Sequence, residues 1–235
     1  MSQLILLRFD MDYHWIVKNK QKQMKIHRFV FNLFQENTYL ITDLKGDAIV
    51  IDPGFSNEQE FLSFKNYLTK NEITLKTIIL THGHIDHIAG LDFLFSNYQL
   101  KPMMHEATMD LISKMAAFGS TYGLPSPKVY QETPYLADGQ TLNFGTISCE
   151  VRYTPGHADG HIVLYFSDQK VVFTGDVLFK ESIGRSDLPT GDYDVLKNSI
   201  LTKLFTLPEE TVVYPGHGPE TTIAYEKENN PFILF

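Results

Sequence analysis

The residues best able to do chemistry lie together in the run Thr81-His82-Gly83-His84-Ile85-Asp86-His87, where three imidazoles and one carboxylate fall within six residues. On an extended segment, side chains two apart point the same way, so His82 and His84 can converge on one point. Asp86 and His87 come as the chain turns toward a helix, and can face a second point nearby. Imidazole and carboxylate are ligands for zinc, and equally for iron or manganese. Three further segments share one plan: an apolar strand, a tight glycine turn, then a candidate ligand. They end in Thr154-Pro155-Gly156-His157, Thr174-Gly175-Asp176 and Pro215-Gly216-His217. Ile49-Val50-Ile51-Asp52-Pro53-Gly54 follows a related plan, with the carboxylate ahead of the glycine. Strand ends held by a packed sheet, with glycine allowing close backbone approach, aim ligands at one spot. Cluster and turns together supply five histidines and two aspartates, the complement for two metal ions.

The elements that must position these residues alternate between β-like and helix-like stretches from Met24 onward. Segments 27–33 and 38–42 read as strands around a polar turn, and 47–51 as another. Segment 57–70 has helical spacing, with Phe61, Phe64 and Leu68 on one face. A strand at 77–80 leads into the histidine cluster, followed by helices at 88–95 and 106–117. Segment 119–134, rich in Gly, Pro, Ser and Tyr, reads as a loop beside a site, with Tyr122 and Tyr130 as candidates to line it. Segments 142–153, 161–166 and 171–173 read as strands, 193–205 as a helix, 211–214 as a last strand and 220–228 as a closing helix. Two similar halves, each of strands with a packed helix, fit a two-layer β core with helices outside.

Composition bounds the partners. The 235 residues carry 20 Lys and Arg against 28 Asp and Glu, a net charge of −8, which argues against nucleic acid and anionic membrane as partners. No apolar run approaches the roughly 18–20 residues of a membrane span. The start lacks a secretory pattern, so a cytoplasmic location is expected. The lone Cys149 excludes an internal disulfide and any Cys-rich zinc module. Residues 1–23 read as an N-terminal extension, either an added strand or an upstream start, ahead of a single domain over 24–235. His14, His27 and His105 are expected at the surface or in packing, and His161 beside the site rather than as a ligand.

In their order THGHIDH, TPGHADGH, FTGD and YPGHG, these motifs resemble the metal motifs of the metallo-β-lactamase-fold hydrolases, over nearly the whole chain from about Met24 to beyond His217. The resemblance implies an α/β fold, a four-layer αββα sandwich with metals in a cleft at one sheet edge. It implies that His82, His84 and His157 hold the first metal, that Asp86, His87 and His217 hold the second, and that Asp176 bridges both. Asp52 matches an early aspartate of the family that orients ligands rather than binding metal. The details are similar to the glyoxalase II-like (hydroxyacylglutathione hydrolase-like) thioester hydrolases. Phe34-Gln35-Glu36-Asn37-Thr38-Tyr39-Leu40 resembles their N-terminal Gln-x-Asn turn, and the stretch from Gly184 to Asp192 the loop after their bridging aspartate. Arg185 falls about where glyoxalase II carries a lysine that contacts glutathione. β-Lactamases of the commonest class have arginine at the position of His87 and cysteine at that of Asp176, and neither is present. The chain runs about 18 residues past His217, with no counterpart of the helical C-terminal domain of full-length glyoxalase II. A short form of this kind implies hydrolysis without implying glutathione.

The implied cofactor is a pair of divalent ions, zinc with iron or manganese as alternatives, and the implied partner a small anionic thioester. Two such ions bring +4, and Asp86, Asp176 and a bridging hydroxide remove three, a balance that lowers the pKa of bound water toward about 7. In this scheme the hydroxide attacks the thioester carbonyl, Asp86 orients it, and Arg185 holds a substrate carboxylate. The alternative on the same fold is a persulfide dioxygenase with one iron held by His82, His157 and Asp176.

Overall fold

Alternation of apolar residues on both faces of the strands sets the layering. The computed structural model describes residues 5–9, 12–16, 24–130 and 132–233. The first sheet contains β1 (Ile5–Phe9), β2 (Asp12–Ile16), β3 (Lys25–Phe31), β4 (Glu36–Thr42), β5 (Asp47–Ile51), β6 (Thr74–Ile79), β7 (Pro102–His105) and β8 (Tyr135–Leu136), side by side in chain order. Neighbours are antiparallel as far as β5 and parallel from β5 to β8. Ile41, Ile49, Ile51 and Ile79 face inward, whereas Leu40, Val50 and Ile78, each next to one of them in sequence, face outward. Because the side-chain period is two, a slip of one residue would exchange these sets, so the pairing register is tightly specified.

Helices α1 (Glu58–Lys70), α3 (Leu91–Tyr98) and α4 (Thr108–Phe118) cover the outer face. Helix α1 starts where it does because the Asn57 side chain accepts a hydrogen bond from the Glu60 amide at 3.0 Å, capping the first turn. It then buries Phe61, Phe64 and Leu68 at helical spacing.

The second sheet contains β9 (Thr141–Phe144), β10 (Ile147–Tyr153), β11 (Ile162–Phe166), β12 (Val171–Gly175), β15 (Val212–Pro215) and β16 (Thr221–Thr222), in the order β16-β15-β12-β11-β10-β9. A two-stranded hairpin, β13 (Leu178–Phe179) with β14 (Ser182–Ile183), lies outside it. Val151, Ile162, Leu164, Phe166 and Phe173 pack against the inner face of the first sheet. On the outer face Val163, Val172 and Val213 pack against Leu196 of α5 (Tyr193–Ser199), the wide turn Ile200–Leu204 that extends it, and Ile223 of α6 (Ile223–Asn229). Helices, two sheets and helices make the αββα sandwich. Cys149 lies buried in the inner layer, where burial pushes its thiol up to about 12, so the thiol is unreactive.

Three local features differ from the sequence pattern. Segment 142–153 is a hairpin of β9 and β10, because Gly145 takes φ +56° and reverses the chain. The helix expected over 88–95 is divided into α2 (Ile85–Ile88) and α3. Gly90 sits at the break, where a Cβ would lie 2.5 Å from the Phe55 ring. Strand β3 stops at Phe31 and β4 begins already at Glu36. Of the 1–23 segment, β1 and β2 are described and add an antiparallel pair to β3; its other residues lie outside the described ones. Among the described residues no helix is long and apolar enough to cross a membrane.

The topology places the chemistry at one end. β5 runs parallel to β6 and β12 parallel to β15, and all the ligand-type residues follow the carboxyl ends of their strands.

Candidate metal centre

Asp52 organises the first-sheet side of the centre. It ends β5 at φ +50°, and its Oδ1 accepts from the Thr81 amide at 2.7 Å. Its Oδ2 accepts from the Thr81 hydroxyl at 2.6 Å and from His87 Nδ1 at 3.0 Å. The single Thr81 hydroxyl hydrogen is thereby committed, so His82 Nδ1, 3.0 Å away, must donate to the Thr81 oxygen. His157 Nδ1 donates to the Arg185 carbonyl at 2.7 Å, and His217 Nδ1 to the Phe34 carbonyl at 3.0 Å. Four imidazoles therefore spend their Nδ1 hydrogens outward and turn Nε2 into the centre. His84 is reversed: its Nδ1 lies 2.9 Å from His157 Nε2.

The inward nitrogens meet two carboxylates. Asp176 Oδ1 is 3.3 Å from His87 Nε2, and its Oδ2 is 3.6 Å from His157 Nε2 and 3.5 Å from His217 Nε2. Asp86 Oδ2 is 3.2 Å from His217 Nε2 and 3.7 Å from His87 Nε2. The ligand atoms of His82, His84 and His157 lie within 4.8 Å of one another, and so do those of Asp86, His87 and His217. Donors around a tetrahedral ion at about 2.1 Å stand about 3.4 Å apart, close to these separations. His82 Nε2 and Asp176 Oδ1 are buried with no hydrogen-bond partner among the described residues. A buried imidazole nitrogen without a partner, beside a carboxylate oxygen whose neighbour at 3.3 Å is another imidazole, is what a cation-binding cavity leaves when the protein is considered alone. The donor set is thus compatible with two metal ions. Asp52, His82 and His87 also cluster, but both Asp52 oxygens are already engaged by Thr81 and His87.

The charge states divide the centre. Burial, reinforced by neighbouring imidazoles, pushes His82 well below the ordinary histidine range and His84 down to about 3. Burial likewise lowers His157. Burial also opposes charge on His87, but Asp176 and Asp86 overcome it and raise His87 well above its usual value. His217 is raised too, against burial, by its hydrogen bond to Asp86 and the charge of Asp176. Against the same burial, His87 and the other imidazoles hold the Asp86 and Asp176 carboxyls below the carboxylate range.

Backbone geometry permits this packing. A Cβ on Gly216 would lie 2.3 Å from Asp176 Oδ1 and 2.7 Å from His87 Cε1, so only glycine fits between β15 and the ligands.

All seven ligand-type residues and Asp52 converge in the cleft. Arg185 joins them through its carbonyl alone: its guanidinium is exposed and forks onto Asp187 with two contacts of 2.9 Å. His161 is buried and accepts from the Asp176 amide at 3.1 Å through Nε2, which leaves that nitrogen no lone pair for an ion. Its other nitrogen faces Thr154 Oγ1 at 3.3 Å. His27 is buried and stacks on Tyr67 at 4.0 Å, and His105 stacks on Tyr153 at 4.4 Å. Tyr130 points away from the cleft and donates to Asp92.

Near the cleft lie Tyr122, which the sequence pattern offers as a lining residue, and Glu36, Leu33, Phe34 and Phe179, to which it gives no chemical role. Glu36 is fully buried with Oε1 3.9 Å from His87 Nδ1, and burial raises its carboxyl well above the usual range. Glu36 opens β4 beside the polar Asn37 and Thr38, so nothing in the local pattern marks it as buried. Leu33, Phe34 and Tyr122 are exposed apolar groups, with the Phe34 and Tyr122 rings 6.5 Å apart, and the Phe179 ring lies 6.1 Å from His217.

Known proteins resemble this chain in sequence and fold. The model of the metallo-β-lactamase superfamily matches residues 31–217. The hydroxyacylglutathione hydrolase GloC of Haemophilus influenzae is 34% identical over 212 residues, spanning 89% of this chain and 98% of that protein. The crystal structure of the B3 metallo-β-lactamase BLEG-1 superposes with a TM-score of 0.77 at 32% identity, covering 89% of this chain and all of that one. TTHA1623 in a di-iron-bound form gives 0.77 at 35% identity over 87% and 98% of the two chains. ETHE1 from Myxococcus xanthus gives 0.71 at 28% identity over 88% and 83%.

Proposed function

The chain belongs to the metallo-β-lactamase superfamily, generally metal-dependent hydrolases, and from that premise we propose that it hydrolyses small thioesters such as S-acylglutathione. In this reading His82, His84 and His157 hold one divalent ion, Asp86, His87 and His217 a second, and Asp176 lies between the two. The ions, zinc in this proposal, would polarise the thioester carbonyl and supply hydroxide near neutral pH by lowering the pKa of water to about 7. The observation that carries the reading is the commitment of four Nδ1 hydrogens outward, which turns four Nε2 atoms toward the centre that Asp86 and Asp176 share.

The chain's own groups have distinct tasks. Asp86 accepts a hydrogen from the attacking water and fixes its approach. Asp52 keeps His87 in the tautomer that presents Nε2. Arg185, released from Asp187, holds a substrate carboxylate through paired hydrogen bonds. Phe34, Tyr122 and Phe179 offer apolar contact for the acyl or thiol arm. The C–S bond breaks, the acyl carbon gains the hydroxyl, and the sulfur leaves as thiolate. The name of the GloC relative, a hydroxyacylglutathione hydrolase, supports the thioester.

The di-iron form of TTHA1623 and the likeness to ETHE1 support a second reading, in which the same cleft holds one iron through His82, His157 and Asp176 and the protein is a persulfide dioxygenase. The complete Asp86, His87 and His217 set favours hydrolysis. Metal analysis with S-lactoylglutathione and acyl-CoA esters decides. Two ions per chain with thioester cleavage is expected; one iron per chain with oxygen uptake on a persulfide replaces the hydrolase reading.

A further inference from the structure

We infer that Asn37 is the positioning residue that holds His217 in the second ligand group, an inference that rests on the two-ion reading above. Asn37 lies one residue into β4 of the first sheet and is 2% exposed. The Pro215-to-Gly218 turn follows β15 of the second sheet, so the contact joins the two sheets at the cleft. Three hydrogens of this one residue reach three carbonyls of that four-residue turn. The backbone amide donates to Gly216 O at 2.8 Å, and Nδ2 donates to Pro215 O at 2.9 Å and Gly218 O at 2.9 Å.

The turn needs this support. Its opposite side is tied to β12 by the Gly216 amide, which donates to the Gly175 carbonyl at 2.8 Å, one residue before Asp176. Gly218 takes φ +74°, so the turn uses backbone that most residues avoid. The Asn37 side chain binds the carbonyls flanking His217 on both sides. Asn37 therefore sets where the imidazole starts, while the Phe34 carbonyl, three residues back, sets which nitrogen faces inward. Tyr39 OH adds a bond to Pro215 O at 2.7 Å.

The chemistry demands an amide here. One nitrogen must donate twice, which a carboxylate cannot do, and aspartate would set its oxygens against two carbonyls. A hydroxyl can donate once. Asn37 touches no ligand atom, so it acts only through the turn.

The test is zinc titration of wild type, Asn37→Asp and Asn37→Ser, followed by competition with a chromophoric chelator and with metal content measured after dialysis. Wild type is expected to bind two zinc ions. Asn37→Asp is expected to keep the first ion at wild-type affinity and to weaken the second about 10–100-fold, the usual cost of losing an outer partner of a ligand. Asn37→Ser, with one donor left, falls between, and carries the test if the aspartate variant does not fold. In a His217→Ala background either substitution has no further effect on zinc affinity. Wild-type affinity for both ions in the variants, equal weakening of both, or additive loss in the His217→Ala background overturns the inference. Fewer than two zinc ions on wild type overturns the two-ion reading itself, and the inference with it.

Discussion

The two ligand groups of the centre are built from similar residues but stand in opposite charge states. His82, His84 and His157 are imidazoles that burial strips of protons, with His84 down to about 3. Asp86, His87 and His217 form a group in which carboxylates raise both imidazoles. An ion entering the first group meets neutral imidazoles and has only the His84–His157 hydrogen bond to part, whereas an ion entering the second must displace protons. The difference teaches that identical side chains become different ligands through what stands within about 4 Å of them. Each group has two imidazoles held from outside, and only the kind of partner differs: the carboxylate of Asp52 behind His87 and the Phe34 carbonyl behind His217, against the Thr81 hydroxyl behind His82 and the Arg185 carbonyl behind His157.

Removing the residue common to both groups should have the largest effect. Asp176→Ala takes away the one carboxylate within 3.6 Å of His87, His157 and His217. A loss of several kcal/mol of metal assistance is about a thousandfold in kcat/KM, read with the best thioester of the panel. Activity within tenfold of wild type would show that the groups do not share Asp176.

Asp52→Asn should break the groups apart. With its oxygen at the Oδ1 position the amide still accepts from the Thr81 backbone N–H, but the nitrogen that replaces Oδ2 can accept neither from the Thr81 hydroxyl nor from His87. Affinity for the second ion should fall about 10–100-fold with the first little changed, as isothermal titration with zinc would record. Equal loss at both groups would make Asp52 a general buttress instead.

Acidification sharpens the contrast without a mutation. The raised pKa of His87 and His217 means that their proton-bound forms are favoured up to higher pH than for free histidine, so protons compete with the ion there first. His84, with its value of about 3, remains proton-free throughout the range. Zinc content should therefore fall in two steps as pH drops from about 8 toward 5, and the earlier step should vanish in His217→Ala. A single step shared by both ions would contradict the division.

The smallest effect is expected outside both groups. Arg185→Ala removes an exposed guanidinium already paired with Asp187, a solvent-screened surface pair that contributes little. KM for an anionic thioester should rise less than about tenfold with kcat and zinc content unchanged. A fall in kcat would place Arg185 at the reacting atoms.

Most strands were legible because both-sided apolar alternation is a local property, and β5 (Asp47–Ile51) was read with its observed limits. The break between α2 and α3 was not, since it depends on the Phe55 ring arriving from another element. The hairpin of β9 and β10 was hidden because Gly145 interrupts an apolar run without a second turn residue. In the cleft, the ligand types were readable because strand, glycine and ligand recur in the same order. Thr81, Glu36 and the Phe34 carbonyl were not, because hydroxyls, buried acids and backbone groups acquire a role only from their neighbours.

By itself, then, the sequence determined which side chains are available for metal chemistry and that they follow the ends of strands. Local order sufficed for the 82–87 run, where an extended segment enters α2 within six residues. Only the tertiary structure decided how His157, Asp176 and His217 meet that run, across 130 residues between His87 and His217. The reason is that hydrogen-bond direction and proton affinity are properties of a surrounding. His161 and His157 look alike in the chain, yet one accepts a backbone hydrogen and the other presents a lone pair to the centre.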